Sequence, residues 1–317
     1  MNSLINQDWK GLIEIIIVDG NSTDNTCKII TRMMNNLPER ISIKILNNPQ
    51  KLIPISLNMA CRHATSDIII RIDGHTFAPS NFISEIMFAL EEIDFNGIVG
   101  GRWLIQSSSS SVVAKAIEIG VSHPLGVGNA LYRTIKDQIL MRFLEVDTVP
   151  FGSFKKELWE QLGGFDENMR ANEDYDFNYR AKKLGYKIVM DTCIVLKYVP
   201  RSTIIQLWQQ YFRYGFWVSR FFIKHKTIPA FRKIVPFVFL FSLLLTLLIN
   251  KIAFFILVAI YGSIILITSF YEGVLKRGDL SLVFFLVLTF VTLHFAYGLG
   301  NITGMLSKMF SIRNQER

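Results

Sequence analysis

The 317-residue sequence predicts an α/β domain, doubly wound around a mostly parallel sheet, followed by helices of membrane-spanning character. Two observations carry that prediction. Through residues 1–200, short β-branched runs closed by polar turns alternate with stretches of helical periodicity, the pattern of strand–helix–strand units. In the last third, three apolar blocks at 234–250, 252–271 and 280–299 each approach the roughly 20 residues that cross a bilayer.

The elements follow in order. Glu14-Ile15-Ile16-Ile17-Val18-Asp19 is a β-branched run stopped by Gly20-Asn21-Ser22, which predicts a buried strand and a turn, with a helix starting near Thr23. Residues 41–46 predict a second strand, 53–64 a helix, and 67–72 a third strand ending at Asp73. A helix is expected over 81–92, an extended segment over 98–104, a flexible serine loop over 107–111 and a helix over 112–120. His123-Pro124-Leu125-Gly126-Val127-Gly128 has the two glycines of a weak phosphate cradle, although a plain turn-rich loop has the same composition. Short strands at 146–151 and 188–190 and helices at 156–161 and 174–184 complete the α/β part.

Charge divides the chain further. Between Asp191 and Glu272 there is no acidic residue, whereas nine Lys and Arg fall there, more than the whole net charge of +8. Basic residues beside apolar segments fit anionic lipid headgroups, and with no basic motif of a known reader present, nucleic acid is not an expected partner. The expected division is therefore 1–200 as the α/β domain, 201–233 as an amphipathic basic and aromatic interfacial segment, 234–300 as the membrane region and 301–317 as a polar tail. Basic flanks before the first apolar block and at Lys276-Arg277 favour a hairpin with cytoplasmic ends in a multi-pass membrane protein. The third block would then carry Lys308, Arg313 and Arg317 outside, so it is either re-entrant or part of a less simple topology. The N-terminus lacks the basic flank and apolar core of a secretory signal, so the α/β domain is expected to be cytoplasmic. Cys27, Cys61 and Cys193 are too scattered for a disulfide framework or a zinc site and read as buried reduced thiols.

Four polar stations recur: Asp19, Asp73-Gly74-His75, Glu173-Asp174 and Gln210-Tyr211-Phe212-Arg213-Tyr214. In a doubly wound sheet, ligands bind beyond the carboxyl ends of strands, where Asp19 and Asp73 fall. Each station also has a plainer reading. Asp19 can start a turn, Asp-Gly-His can be structural, and a carboxylate pair at a helix start, capped by Asn172, is commonly solvated. The last station, with Trp208, Trp217, Arg220 and Lys224 nearby, suits an amphipathic interfacial helix.

The run Glu14-Ile-Ile-Ile-Val-Asp-Gly-Asn-Ser-Thr-Asp-Asn-Thr26 resembles the nucleotide-sugar strand of family 2 glycosyltransferases, which have the GT-A fold. Arg71-Ile-Asp-Gly-His75, Val149-Pro-Phe-Gly-Ser153, Asn172-Glu-Asp-Tyr-Asp-Phe-Asn-Tyr-Arg180 and Tyr198-Val-Pro-Arg-Ser202 are similar to its membrane-bound, succinoglycan-type exopolysaccharide branch. The resemblance implies an inverting, metal-dependent transferase that moves a sugar from a nucleoside diphosphate, UDP favoured, to a lipid-linked glycan at the membrane. It implies that Asp19 and Asn21 contact the nucleotide, and that Asp73 and His75 hold a divalent cation bridging the diphosphate. His75 in place of a second Asp tilts the choice from Mg²⁺ toward Mn²⁺. It further implies Asp174 as the base, supported by Glu173, Arg213 as a partner of the diphosphate, and Gln210, Tyr214 and Trp217 on the acceptor and membrane side.

Relatives open with a strand that has no counterpart before Asn2, so the fold expected here lacks its first strand. Met1 is then an internal or misassigned start, or the gene is degraded and activity is impaired. The alternatives are a transferase whose acceptor is polyprenyl phosphate itself, and an inactive scaffold subunit of a glycan assembly.

Overall fold

The computed structural model describes residues 1–74, 76–135 and 141–315, with side chains up to residue 307. The chain divides into two compact units, one formed by Met1–Leu104 and Ile135–Tyr198, the other by Ile105–Thr134 and Val199–Arg317. Residues 105–134 thus group with the C-terminal helices, which the expected boundary at residue 200 does not anticipate.

The first unit begins with α1 (Asn2–Ile5), β1 (Ile13–Asp19), α2 (Thr26–Met34), β2 (Ile41–Asn47), α3 (Ile53–His63), β3 (Ile68–Ile70), α4 (Phe82–Glu91) and β4 (Gly97–Ile105). After the segment containing α5 (Val112–Ser122), α6 (Pro124–Val127) and α7 (Leu131–Thr134), it resumes with β5 (Phe143–Glu145), β6 (Ser153–Lys155), α8 (Lys156–Gln161), α9 (Glu173–Lys183) and β7 (Lys187–Tyr198). Strands β1 and β2 pair in parallel, from Ile13 opposite Ile41 to Asp19 opposite Asn47. Ile15, Ile41 and Ile43 from this pair and Ile30 from α2 bury a small core of their own.

A five-stranded sheet has the order β3-β6-β4-β7-β5. Its β3–β6, β4–β6 and β5–β7 pairs are antiparallel, so the α/β fold is mixed where a mostly parallel sheet was expected. The strand expected at 146–151 also lies elsewhere. Pro150 has no N–H for a ladder, and the strand forms instead at β6, just after Gly152. Gly100 and Gly101 admit close backbone neighbours on β4: a Cβ on Gly100 would stand 2.4 Å from the Pro150 carbonyl oxygen, and one on Gly101 2.3 Å from that of Ile194.

Strand β7 is four times as long as the expected 188–190 run, because Asp191-Thr192-Cys193 interrupts its apolar pattern. Asp191 is fully buried in that interruption, where it accepts hydrogen bonds from Arg142 at 2.9 and 3.0 Å while Arg142 also pairs with Glu85. A satisfied buried ion pair is compatible with a core strand but breaks the sequence pattern that reveals one. Helix α4 packs on this sheet through Phe82, Ile86, Ala89 and Leu90, all at most 1% exposed.

The second unit contains α5 to α7, α10 (Ile204–His225), α11 (Val235–Ile249), α12 (Lys251–Phe270) and α13 (Ser281–Gln315). Ser111, in the expected serine loop, caps α5 by accepting from the Ala114 amide. The expected glycine cradle is a helical turn, α6, in which a Cβ on Gly126 would meet the Gly120 carbonyl oxygen at 2.1 Å. Close packing accounts for that glycine. Asn250 ends α11 and caps α12 by accepting from the amides of Ile252 and Ala253, which makes the two helices a tight hairpin.

Candidate functional site

The first unit brings two of the four stations together. β3 ends at Ile70, and the chain then presents Arg71 and Asp73; α9 begins with Glu173 and Asp174. The Arg71 guanidinium links them, with Nη2 3.3 Å from Asp73 Oδ1 and 3.2 Å from Glu173 Oε1. Arg71 and Glu173 are nearly buried, whereas the Asp73 side chain is 37% exposed and keeps a solvent face.

These surroundings set the charges. Burial raises the Glu173 carboxyl above its ordinary value, the neighbouring Asp174 pushes it further, and Arg71 opposes both. Burial also works against charge on Arg71, but Asp73, Glu173 and Asp174 outweigh it and hold the guanidinium protonated. Arg71 stands in the Arg71-Ile-Asp-Gly-His75 run, but nothing local in the sequence marks it as a site residue. Only the fold brings it to Glu173.

The loop before α9 is fixed from two sides. Asn58, buried on α3, donates to the Phe165 carbonyl at 2.9 Å and accepts from the Phe165 amide at 2.8 Å and the Trp159 indole at 3.0 Å. Arg180, in the last turn of α9, donates to the carbonyls of Leu162 at 2.7 Å and Gly164 at 2.8 Å and pairs with fully buried Asp176. Phe154, Phe165 and Phe177 stack beneath, with centroids 4.3 Å apart for the last two. Asn172 occupies the N-cap position as expected, but its φ of 58° is left-handed and its side chain makes no capping bond. Asp174 instead accepts from the next amide, Tyr175 N, at 2.7 Å. Carboxylates in the first turn of α9 also lie at the positive end of the helix dipole.

Asp19 ends β1. Its two oxygens accept from the Ser22 amide at 2.9 Å and the Ser22 hydroxyl at 2.6 Å, which lowers its pKa. The turn role and a ligand role are therefore both open to it, since each oxygen retains a lone pair. Asn21 follows with φ 61°, a left-handed conformation that Asn tolerates better than most residues.

The fourth station lies in the second unit. Gln210 and Tyr211 are buried on α10, and Arg213 is exposed. Gln210 donates to the Tyr214 hydroxyl at 3.0 Å, Arg133 donates to that of Tyr211 at 3.2 Å, and the Trp217 ring meets Phe216 edge-on.

His75 lies outside the described residues. Among the described residues no three His, Cys, Asp or Glu side chains converge as a metal site. A hard cation bound to a diphosphate needs only one or two protein carboxylates, and the open face of Asp73 fits that use. The cysteines are free; Cys61 is buried and pushed up to about 12, but Cys193 is exposed, contrary to the expectation of three buried thiols.

Comparison with known proteins agrees with this architecture. The succinoglycan biosynthesis protein ExoA of Rhizobium meliloti (strain 1021) is 29% identical over 232 residues, 70% of this chain and 64% of that protein, so the match spans less than two thirds of the relative. A dolichyl N-acetyl-alpha-D-glucosaminyl phosphate 3-beta-D-2,3-diacetamido-2,3-dideoxy-beta-D-glucuronosyltransferase of Methanococcus voltae is 25% identical over 264 residues, covering 82% of this chain and 79% of that one. Among solved structures, the mannosyltransferase PcManGT from Pyrobaculum calidifontis, in complex with GDP-Man and Mn²⁺, superposes with a TM-score of 0.58 at 16% identity. It covers 92% of this chain and 80% of that one. The family described as Glycosyl transferase family 2 matches residues 1–162, and the chain belongs to that family and has its GT-A fold.

Proposed function

We propose that this protein is an inverting glycosyltransferase that moves a sugar from a nucleoside diphosphate, UDP favoured, to a lipid-linked glycan in exopolysaccharide or cell-envelope polysaccharide synthesis. The observation that carries the reading is the cluster of Arg71, Asp73, Glu173 and Asp174 in a family 2 chain. The succinoglycan relative supports the pathway class, and the dolichyl-linked relative supports a lipid-borne acceptor.

In this reading Asp174 takes the proton from the acceptor hydroxyl as the nucleoside diphosphate leaves from the opposite face of the sugar. Glu173, buried against Arg71, keeps the start of α9 in place beside it. Asp19 and Asn21 hold the nucleotide, and Arg213 pairs with the diphosphate. Gln210, Tyr214 and Trp217 line the acceptor side near the membrane. A divalent cation, Mn²⁺ or Mg²⁺, held by Asp73 would offset the charge that develops on the leaving group.

The test uses purified full-length protein in detergent with either cation, labelled UDP- and GDP-sugars, and two acceptor lipids. Label entering a polyprenyl-linked saccharide supports the reading. Label entering bare polyprenyl phosphate moves the activity to the alternative class, and neither transfer nor donor hydrolysis from any donor overturns it.

A further inference from the structure

In the second unit, two helical stretches are long and apolar enough to cross a membrane, 251–275 and 281–307, with the shorter Val235–Ile249 before them. Composition treats the two long helices alike. Their surroundings do not.

Helix α13 is a core helix. Leu282, Leu286, Phe290, Leu293 and Ala296 are at most 1% exposed. One flank of α13 is sealed by α10 at distances that exclude any lipid: a Cβ on Gly215 would stand 2.0 Å from the Tyr297 carbonyl oxygen, and one on Gly300 2.1 Å from that of Phe212. Ser219 donates to the Asn301 carbonyl at 2.7 Å in the same seam. Lower down, His294 Nε2 meets the Leu125 carbonyl at 2.7 Å and Gly120 abuts Thr289, so α5 and α6 continue the seal.

Helix α10 therefore goes wherever α13 goes. Its side away from the seam carries Gln209, Arg213, Arg220 and Lys224, at spacings of four, seven and four residues that share one helical face. Were α13 to cross a bilayer, that cationic face would travel into the hydrocarbon, where charged side chains are strongly disfavoured.

The hairpin α11–α12 is the reverse case. Between Lys233 and Glu272 the only charged residue is Lys251, and the outer surface exposes Phe241, Leu244, Leu248, Ile249, Ile252 and Phe255. At 15 residues, α11 is about 22 Å long, short of the roughly 30 Å hydrocarbon core. Cations mark all three of its ends: Arg232 and Lys233, Lys251 at the tip, and Lys276 and Arg277, the last two paired with Glu272. A hairpin lying flat puts every one of these at headgroup depth, whereas a spanning one sends Lys251 to the far side.

We propose that the second unit is monotopic: the outer face of α11–α12 rests in one leaflet against lipid acyl chains, and α13 is an interior helix of the unit and not a membrane span. This topology does not depend on the chemistry assigned to the first unit, and its test reads no activity. Variants Gln209→Cys and Lys251→Cys, in a Cys27→Ser/Cys193→Ser background that keeps only buried Cys61 and so presents one accessible thiol, are expressed in bacteria. Sealed inverted membrane vesicles are then treated with a membrane-impermeant maleimide. Both positions label to the same extent before lysis if the hairpin is monotopic. Labelling of Lys251→Cys only after lysis, with Gln209→Cys labelled before it, overturns the proposal. Asn250→Cys, the exposed polar residue at the tip, serves as the second tip position should Lys251→Cys accumulate poorly. A fluorophore on Leu248→Cys, with the purified protein bound to phosphatidylglycerol vesicles, is expected to be quenched by nitroxides on the acyl chains. No quenching, together with a dimer in detergent-free solution, would assign the face to a second copy of the chain instead.

Discussion

Replacing Arg71 by Met removes the cation shared by Asp73 and Glu173, and the structure limits what that can cost. Stripping one partner from a buried pair typically destabilises by about 3–5 kcal/mol. Asp73 is partly exposed and its share is screened by solvent, so the loss falls chiefly on buried Glu173. A stranded carboxylate can take up a proton, and each pH unit above its ordinary value of 4.5 costs about 1.4 kcal/mol. The loss at pH 7 is therefore capped near 3.4 kcal/mol, and at pH 5.5 near 1.4 kcal/mol. The wild-type Glu173 carboxyl is already raised, so the expected loss at pH 7 falls below that cap. Because the folded pKa lies above the unfolded one, the carboxyl's contribution is full below pH 4.5 and fades as pH rises, faster in the variant. Pulse proteolysis across a urea series, with the full-length protein in micelles, reads the effect. Arg71→Met/Glu173→Gln should recover most of it at pH 7. A single variant that loses under about 0.5 kcal/mol, or a double variant no better than the single, would refute the pairing on which the site is built.

Other outcomes follow from the same packing. Asn58→Ala leaves the Trp159 indole and both Phe165 backbone groups without their buried partner, which should cost about 2–3 kcal/mol by thermal unfolding; Asn58→Asp, which turns a carboxylate oxygen toward the Phe165 carbonyl and the Glu167 carboxylate, should cost at least as much. Gly300→Val drives a side chain into the Phe212 carbonyl, and limited proteolysis should then cut near Lys226 several-fold faster. At pH 8 a maleimide should modify exposed Cys193 within minutes and leave Cys61 unreacted until the protein unfolds, as mass spectrometry of the digested protein would show.

Much of the first unit is legible in sequence because its strands and helices are local. The β-branched run before Asp19 and the apolar run before Asp73 are patterns that need no partner to be recognised, and residues 156–161 form the expected helix. What escaped depends on distant contacts. Arg71 reads as one more polar residue until Glu173, 102 positions later, is folded onto it. Asp191, paired with Arg142, buries charge inside β7 and so erases the signal that marks a strand. The aromatic and basic run of α10 suggested a helix lying on a bilayer, yet its inner face is spent on α13 through Gly215 and Gly300. The alliance of residues 105–134 with the C-terminal helices has no local signature at all.

The proposed role of Asp174 as the base that activates the acceptor is tested most directly by sugar transfer in the Asp174→Asn variant. The substitution keeps size and the acceptor oxygen facing the Tyr175 amide while removing the base. Transfer should fall by roughly 10² to 10⁴-fold with UDP affinity unchanged. Transfer within about threefold of the parent protein, at saturating donor and acceptor, would contradict the assignment.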